Sequence, residues 1–249
     1  MPVPRKQRKG HRQQVNGLYV HSSPPRVLQI NSAHIRQAIR SGDIEKLENI
    51  VYDGQGKKLI GEYASDYKVR SFLKTVPSLM SKISLLHDAV NSGRLEELQS
   101  LLDEENEKNR KKLVLAKDES GVGLLHKAVY YDLKDISEWI LKNYPSAASL
   151  KDTDGRTAFH YTPMCQNPGS IQKMLKSAGA DPSALDNRQR SARYYADHIS
   201  ELELPNSHKS KLNSRRNTTV KDSKLKSREI LTQIELKFLP RRPQLPPTH

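Results

Sequence analysis

A six-residue motif occurs three times at one spacing and determines the fold: GVGLLH at residues 121–126, GRTAFH at 155–160 and QRSARY at 189–194. Each copy begins 34 positions after the one before it. A less similar copy, SLLH, lies at residues 84–87, and its last residue, His87, precedes His126 by 39 positions. A fixed period of this length predicts an array of structural units that stack on one another.

Each unit contains the pattern of two short amphipathic helices. Residues 89–98 match residues 38–47 position by position, with apolar, turn and charged residues in the same order. Gly42 and Gly93 stand at the break between the helices of each pair. We therefore predict helical hairpins joined by tight glycine turns, the first of them capped at its start by Ser32.

Three features interrupt the regular pattern. Residues 53–82 fit no repeat, and within them the apolar positions around 69–73 predict a short helix that stops near Pro77. The charged stretch 103–112 either extends the preceding helix or loops out, and it accounts for the longer spacing of 39. Pro163 is expected to shorten or kink the helix that follows His160.

The charge of the chain is concentrated at its two ends. The 249 residues carry a net charge of +14, with six Lys or Arg and no acid in residues 1–29. Residues 206–249 hold eleven basic and three acidic residues, which leaves residues 30–205 neutral. Only 35% of the residues are hydrophobic. This segregation predicts a folded core between two disordered basic tails.

Composition also narrows the class of protein. A single cysteine, Cys165, cannot form an intramolecular disulfide or a Cys-rich zinc site. No apolar run approaches the roughly 18 residues of a membrane span, and the first residues lack the apolar stretch of a signal peptide. We expect a soluble intracellular protein, either cytoplasmic, including cytoskeletal, or nuclear.

These motifs resemble the ankyrin repeat family. Residues 152–160 match its turn and first-helix pattern at Asp, Gly, Thr and His, residues 118–121 match the preceding turn, and residues 178–181 match the closing loop. The resemblance covers about residues 30–205. It departs from the family where Gly123-Leu124 and Thr157-Ala158 replace the usual Thr-Pro.

The resemblance implies an all-α ankyrin-repeat solenoid of stacked helix-turn-helix units. Residues 30–83 would form a divergent N-terminal cap with an insertion. Residues 84–205 would form about three repeats and a C-terminal cap. It also implies a non-enzymatic adaptor or scaffold, monomeric, without a cofactor, a metal or a small-molecule substrate.

Evenly repeated residues belong to the repeat unit, so we assign them a structural role rather than a metal-binding or catalytic one. They are His87, Gly121, His126, Gly155, Thr157, His160 and Gly179. Cys165 follows His160 by five residues, but no residue at a recognisable spacing would orient a base for a nucleophile. We find no phosphate loop, zincin helix or nucleophile elbow.

In the ankyrin family the turn tips and the exposed side of the first helices line a concave face that binds protein partners. The resemblance maps this face to Asp88, Asn91, Ser92, Glu119, Val122, Tyr130, Tyr131, Thr153, Arg156, Tyr161, Met164, Arg188, Arg190 and Arg193. Tyr130, Tyr131 and Tyr161 are the strongest candidates, because tyrosine is common at binding hot spots. The alternative is that Tyr130 and Tyr131 only cover the neighbouring unit.

The tails supply a competing hypothesis. The basic cluster at residues 5–9 is a nuclear address, an anion-binding arm or only a solubilising tail. Together with the basic residues of 206–249 it could bind a polyanion: nucleic acid or chromatin, a microtubule or an acidic membrane. Apolar residues within 230–238 lie at helical spacing and could fold on a partner. Residues 240–247 contain overlapping PxxP patterns, which are either a linker or a ligand for a proline-recognising domain.

Overall fold

The computed structural model describes residues 30–205, and these residues confirm the predicted all-α class. Within that range no β-structure forms beyond one isolated bridge between Lys117 and Gly123. The α-helices of this range are α1 (Ser32–Ser41), α2 (Ile44–Ile50), α3 (Tyr67–Asn91), α4 (Leu95–Asp103), α5 (Glu107–Val114), α6 (Leu124–Tyr130), α7 (Lys134–Asn143), α8 (Pro168–Ser177) and α9 (Ala192–Asp197). Short 3-10 or π-helical segments are Val51–Gln55, Gly56–Leu59, Pro145–Ser149, Ala158–Met164 and Ile199–Glu201.

The predicted basic tails, residues 1–29 and 206–249, lie outside the described residues. The same holds for the basic cluster at 5–9, the apolar positions within 230–238 and the PxxP patterns of 240–247.

The helical hairpins share one turn geometry. In α1–α2, α3–α4 and α6–α7 the residue at the turn has positive φ: Gly42 at 69°, Gly93 at 69° and Asp132 at 57°. The amide of the next residue then donates to a carbonyl five positions back, as Arg94 does to Ala89 over 2.9 Å. Glycine adopts this conformation without steric cost, and aspartate is among the few other residues that tolerate it. The predicted glycine turns are present.

The helices pack in two layers. The C-terminal half of α3, helix α6, the segment Ala158–Met164 and α9 pack successively against one another. Helices α4, α7 and α8 pack behind them as the second layer. The core between these layers includes Ala89, Ala128, Val129 and Leu175, all fully buried. Each element buries its apolar face against a neighbouring unit, as short helices require.

The prediction of a short helix that stops near Pro77 is wrong, because helix α3 continues past that residue. The helix has 25 residues. Proline within a helix costs about 3 kcal/mol. Burial of Val69, Val76 and Ile83 along one stripe offsets this cost, since each fully buried aliphatic side chain contributes roughly 1.5–3 kcal/mol.

The other irregular stretches also take definite forms. Residues 103–112 neither extend α4 nor form a simple loop, because Asn106 caps the separate helix α5 and Leu113 and Val114 are buried at its end. The N-cap of α1 is Asn31, one residue before the expected Ser32. The predicted shortening at Pro163 is wrong, because Ala158–Met164 has 7 residues, as α6 has; the segment is instead a 3-10 helix where α6 is an α-helix.

The turn Val51–Gln55 packs tightly against residues 117–118. The amide of Lys117 donates to the Tyr52 carbonyl over 2.7 Å. Gly54 has φ of 79°, and a Cβ there would lie 1.9 Å from the Asp118 carbonyl oxygen. At Gly42, whose φ is also positive, a Cβ would meet nothing within 4 Å.

We expect Gly54→Ala to destabilise the fold more than Gly42→Ala. The Gly42 variant carries only the strain of positive φ, about 1–2 kcal/mol. The Gly54 variant must also move backbone away from the Asp118 carbonyl, so its loss should exceed that of Gly42→Ala by about 1–3 kcal/mol. Urea unfolding of both variants measures the difference. Equal losses would show that the turn does not pack on residues 117–118.

Candidate partner-binding surface

Three equivalent turns, 118–121, 152–155 and 186–189, form what we term the turn row. Each is closed by the carboxylate of its first residue. Oδ1 of Asp152 accepts hydrogen bonds from the amides of Asp154 and Arg156, both at 2.9 Å. Asp118 and Asp186 make the same pair of bonds in their own turns. Aspartate favours such turns because its short side chain can satisfy the backbone donors that the turn leaves free.

The turns are bonded to one another across units. Thr153 donates from its amide to the Gly121 carbonyl over 3.2 Å and from its hydroxyl to the Ser120 carbonyl over 2.9 Å. In the next turn the amide of Asn187 donates to the Asp154 carbonyl over 2.9 Å. The turn row is therefore a continuous hydrogen-bonded edge.

The second carboxylate oxygen of each turn aspartate is bonded by the residue nine positions later. Lys127 forms an ion pair with Asp118 at 2.7 Å, the Tyr161 hydroxyl donates to Asp152 over 2.5 Å, and Tyr195 donates to Asp186. The sequence analysis did not predict these contacts. The constant spacing of nine residues between the Asp and the Lys or Tyr could have indicated them.

A buried arginine joins two of these units. The Arg156 side chain is 3% exposed, and its guanidinium donates to the Tyr195 hydroxyl over 3.2–3.3 Å and to the Glu203 carbonyl over 2.7 Å. It lies 3.8 Å from the Asp186 carboxylate and stacks over the Tyr195 ring at 4.9 Å. A buried cation needs such partners, because its desolvation is costly unless its donors are satisfied.

The repeated histidines bond the following unit. Nε2 of His87 lies 3.2 Å from the Ala116 carbonyl, Nε2 of His126 lies 3.0 Å from that of Arg156, and Nε2 of His160 lies 3.3 Å from that of Arg190. All three rings are buried, and burial lowers the pKa of each. The rings are therefore neutral at pH 7 and serve as hydrogen-bonding spacers between units.

The other residues assigned to the repeat unit have matching local roles. Thr157 caps Ala158–Met164, and its amide donates to Nδ1 of His160 over 3.0 Å. Gly121, Gly155 and Gly179 have φ of 76°, 77° and 91°, a backbone conformation that favours glycine.

Three residues predicted to line an exposed binding face are buried, and the prediction is wrong for them. Val122 is 1% exposed, Arg156 3% and Tyr161 0%. The physical reason is that the internal turn contacts use them. Arg156 and Tyr161 satisfy the turn carboxylates, and the Tyr161 ring also packs edge-on against His126 at 6.0 Å.

Tyr130 and Tyr131 take different roles. Their rings meet edge-to-face at 5.2 Å. Tyr130 is half-buried and packs on the Tyr161 ring at 5.8 Å, so it covers the next unit. Tyr131 remains 48% exposed. Of the three tyrosines that the sequence singled out, only Tyr131 presents a large surface to a partner.

The remaining predicted positions lie at the surface in two rows. Glu119, Thr153 and Arg188 are exposed at the tips of the three turns. Asn91, Tyr130, Tyr131 and Met164 lie at the ends of the first-layer helical segments, Asn91 and Tyr131 exposed and Met164 partly buried. Asp88 and Ser92 are exposed beside Asn91, and Arg193 is exposed on α9. Arg190 is partly engaged, since it pairs with Glu201 and lies over the Tyr194 ring at 4.5 Å.

The structure brings some of these residues into common clefts. Asp88, Asn91 and Glu119 line one cleft of about 190 Å³. Thr153 and Arg188 line a second, of about 260 Å³, beside Arg156 and Glu203.

The single cysteine, Cys165, is buried in the core. Burial raises the pKa of the Cys165 thiol to about 12, and the thiol donates to the Val129 carbonyl over 3.3 Å. Within residues 30–205, no cluster of three or more His, Cys, Asp or Glu side chains has a metal-binding arrangement. The same residues contain no helix that is both long and apolar enough to cross a membrane.

No protein-family model matches the sequence, and no curated protein matches it either.

We expect Arg156→Met to lower the free energy of unfolding by about 3–5 kcal/mol, because it leaves Asp186 and the Glu203 carbonyl without their buried partner. Arg188→Met, two residues before Arg190 on the exposed turn, should change it by less than about 0.5 kcal/mol. Denaturant unfolding of both variants measures the contrast. Similar small changes would mean that Arg156 does not hold the two units together.

Two aspartates near Arg156 have pKa values displaced in opposite directions. Burial raises the pKa of Asp186, but hydrogen bonds from Tyr195, Arg190 and Arg188 outweigh it, and the net pKa is lowered. The pKa of Asp154 is raised, chiefly by burial.

These shifts predict opposite effects on acid sensitivity. Asp186 stabilises the fold above its unfolded pKa of about 3.9, and that contribution is lost as pH falls through the lower folded pKa. Asp186→Asn should therefore flatten the loss of unfolding free energy below about pH 5. The ionised carboxylate of Asp154 destabilises the fold, because its pKa is raised in the folded state, and its protonation as pH falls relieves this effect. Asp154→Asn removes that relief, so the unfolding free energy of the variant should fall more steeply with decreasing pH. Urea unfolding at a series of pH values gives both slopes, and slopes of the reverse order would contradict the network.

Proposed function

We propose that this chain is a non-enzymatic ankyrin-repeat adaptor that binds a protein partner along the turn row and the adjacent helix ends. The observation that carries the proposal is that the polar residues fall into two groups, one buried with structural hydrogen bonds and one exposed. Those that point inward satisfy the turns and the unit interfaces, whereas the side chains of Asp88, Asn91 and Arg188 are exposed along one edge. Exposed residues without an internal structural use are candidates for binding.

Several contacts support the repeat assignment. The turn, the histidine-to-carbonyl bond and the hairpin geometry recur at the spacing of the sequence repeat. Stacked units that bond to their neighbours in this way leave an extended edge free for recognition. The ankyrin family uses this edge as part of a concave binding face.

The lack of catalysis is part of the same proposal. Histidines whose Nε2 atoms hold backbone carbonyls, and a thiol with a raised pKa, are poor acids, bases and nucleophiles at neutral pH. The proposed compartment is intracellular, either cytoplasmic or nuclear, and the proposed state is a monomer.

The basic ends favour a second candidate function. The whole net charge of +14 lies in residues 1–29 and 206–249. Arms of this kind could bring the chain to nucleic acid, a microtubule or an acidic membrane. Binding through the arms alone would weaken steeply with salt, by roughly a thousandfold or more between 50 and 200 mM for six or more neutralised anionic groups.

Tyr131→Ala should weaken binding to the partner of the turn row about 30-fold or more, because a central, half-exposed tyrosine typically contributes about 2 kcal/mol. The partner is first identified by cross-linking to the full chain at 200 mM salt, and its affinity is then measured by calorimetry. Tyr67→Ala is the matched control, since Tyr67 is also an exposed tyrosine but lies at the start of α3, away from the predicted positions.

Equal affinities of the Tyr131 variant, the Tyr67 variant and the native chain would overturn the proposed binding face. Binding that disappears at 200 mM salt would make the basic arms the main determinant instead.

A further inference from the structure

The unit that contains His87 lacks the turn that the later units have. Its alignment with the next unit, at the spacing of 39, sets Ala89 against Ala128. The position of the turn aspartate Asp118 then falls at Leu79, in the middle of α3. A continuous helix therefore stands where the later units have a turn carboxylate.

Asp88 is an acid at a position where the later units have a hydrogen-bond donor. The same alignment sets Asp88 against Lys127, and 34-residue steps lead on to Tyr161 and Tyr195. Those three side chains bond the carboxylate of their own turn. The exposed carboxylate of Asp88 has no hydrogen bond or ion pair to any of residues 30–205.

The ring of His87 has a buried nitrogen without a partner, Nδ1, as does the ring of His126. In the unit of His160, the ring Nδ1 accepts the amide hydrogen of Thr157, which is free because Thr157 is a helix N-cap. The corresponding residue, Ser84, lies inside α3, where its amide belongs to the helical hydrogen-bond ladder. Nδ1 of His87 is buried without a partner, and the residue is 3% exposed.

The protonation of His87 makes this nitrogen an acceptor. Burial, with the nearby charge of Lys127, lowers the pKa of His87 to about 4, so the ring is neutral at pH 7. Its other nitrogen, Nε2, lies 3.2 Å from the Ala116 carbonyl and must carry the hydrogen to bond it. Nδ1 therefore offers an unused lone pair.

Both residues line one cleft, which we term the α3 cleft. It has a volume of about 190 Å³ and lies between α3, the turn Val51–Gln55 and the turn at 118–121. Val51, Met80 and Ile83 form its apolar wall, and Asn91 lies at the same surface.

The other charges of the α3 cleft are neutralised within the protein. Lys127 pairs with Asp118 at 2.7 Å, Lys117 with Asp53 at 3.1 Å, and Glu119 with Lys57 at 2.5 Å. The carboxylate of Asp88 is left over, so the cleft has an excess of one negative charge. That excess favours a cationic occupant over an anionic one.

We propose that the α3 cleft binds an arginine side chain of a partner protein, with the guanidinium at the carboxylate of Asp88 and the aliphatic stem against Met80 and Ile83. The acceptors of the cleft come from several side chains, since Asn91 adds an amide oxygen. A guanidinium has five donors in a planar fork and is weakly hydrated, whereas a lysine ammonium is a compact and strongly hydrated charge. The apolar wall suits the methylene stem.

The inference deepens the proposed function, on which it rests for the presence of a partner, because Asp88 and Asn91 belong to the same binding edge. The cleft can nevertheless be tested without that partner. A single arginine derivative probes it directly, and failure of the Tyr131 experiment would leave the result unaffected.

The test is a titration of the isotope-labelled full chain with N-acetyl-argininamide, followed by NMR of the His87 ring nitrogens and the Asp88 carboxylate carbon. We expect saturable shifts at both groups with a dissociation constant on the order of 1 mM, as suits one small side chain. Asp88→Asn should weaken this binding at least tenfold. Asp135→Asn, which alters an exposed acid on α7, is the matched control and should bind as the native chain does.

Two further probes decide the chemistry. N-acetyl-lysinamide should bind at least fivefold more weakly, and N-acetyl-norleucinamide should produce no saturable shift. Equal binding of lysine would overturn the assignment to arginine, and equal binding of norleucine would overturn a charged ligand altogether. Shifts that do not saturate, or that persist unchanged in a correctly folded Asp88→Asn variant, would overturn the α3 cleft as a site.

Discussion

The rest of the structure depends on the hydrogen bonds and ion pairs of the carboxylate at the first residue of each turn. One oxygen of Asp118, Asp152 or Asp186 closes the turn on its own backbone amides, and the other is bonded by a side chain nine residues later. The same residue therefore shapes the turn and ties it to the first helix of its unit. Because the turns also bond to one another, each carboxylate supports its neighbours as well.

This arrangement explains why the interior contains so many polar groups. Arg156, His126 and His160 are buried, and each bonds a backbone carbonyl of a later segment: Arg156 that of Glu203, His126 that of Arg156 and His160 that of Arg190. Buried polar groups that are satisfied specify one register between units, since a shifted register would leave them unpaired. The exposed edge can then vary in charge and shape without disturbing the stack, which is a property suited to a binding scaffold.

The unit of His87 differs from the later units because a helix replaces its turn. Helix α3 continues through the position of the missing turn, and the segment Val51–Leu59 packs against it. The helix supplies stability through its buried stripe, and it leaves the carboxylate of Asp88 exposed at the α3 cleft.

The sequence by itself determined the helical class, the 34-residue period and the glycine turns of the hairpins. Each of these follows from local chemistry or from a spacing along the chain. Only the tertiary structure decided the path of α3 through Pro77, the separate helix α5 and the burial of Val122, Arg156 and Tyr161. Tyrosine and arginine are amphipathic, so whether they are buried or exposed depends on which hydrogen-bond partners lie nearby in the fold. Tyr161 is buried against Asp152, and Arg156 is buried against Tyr195 and Asp186.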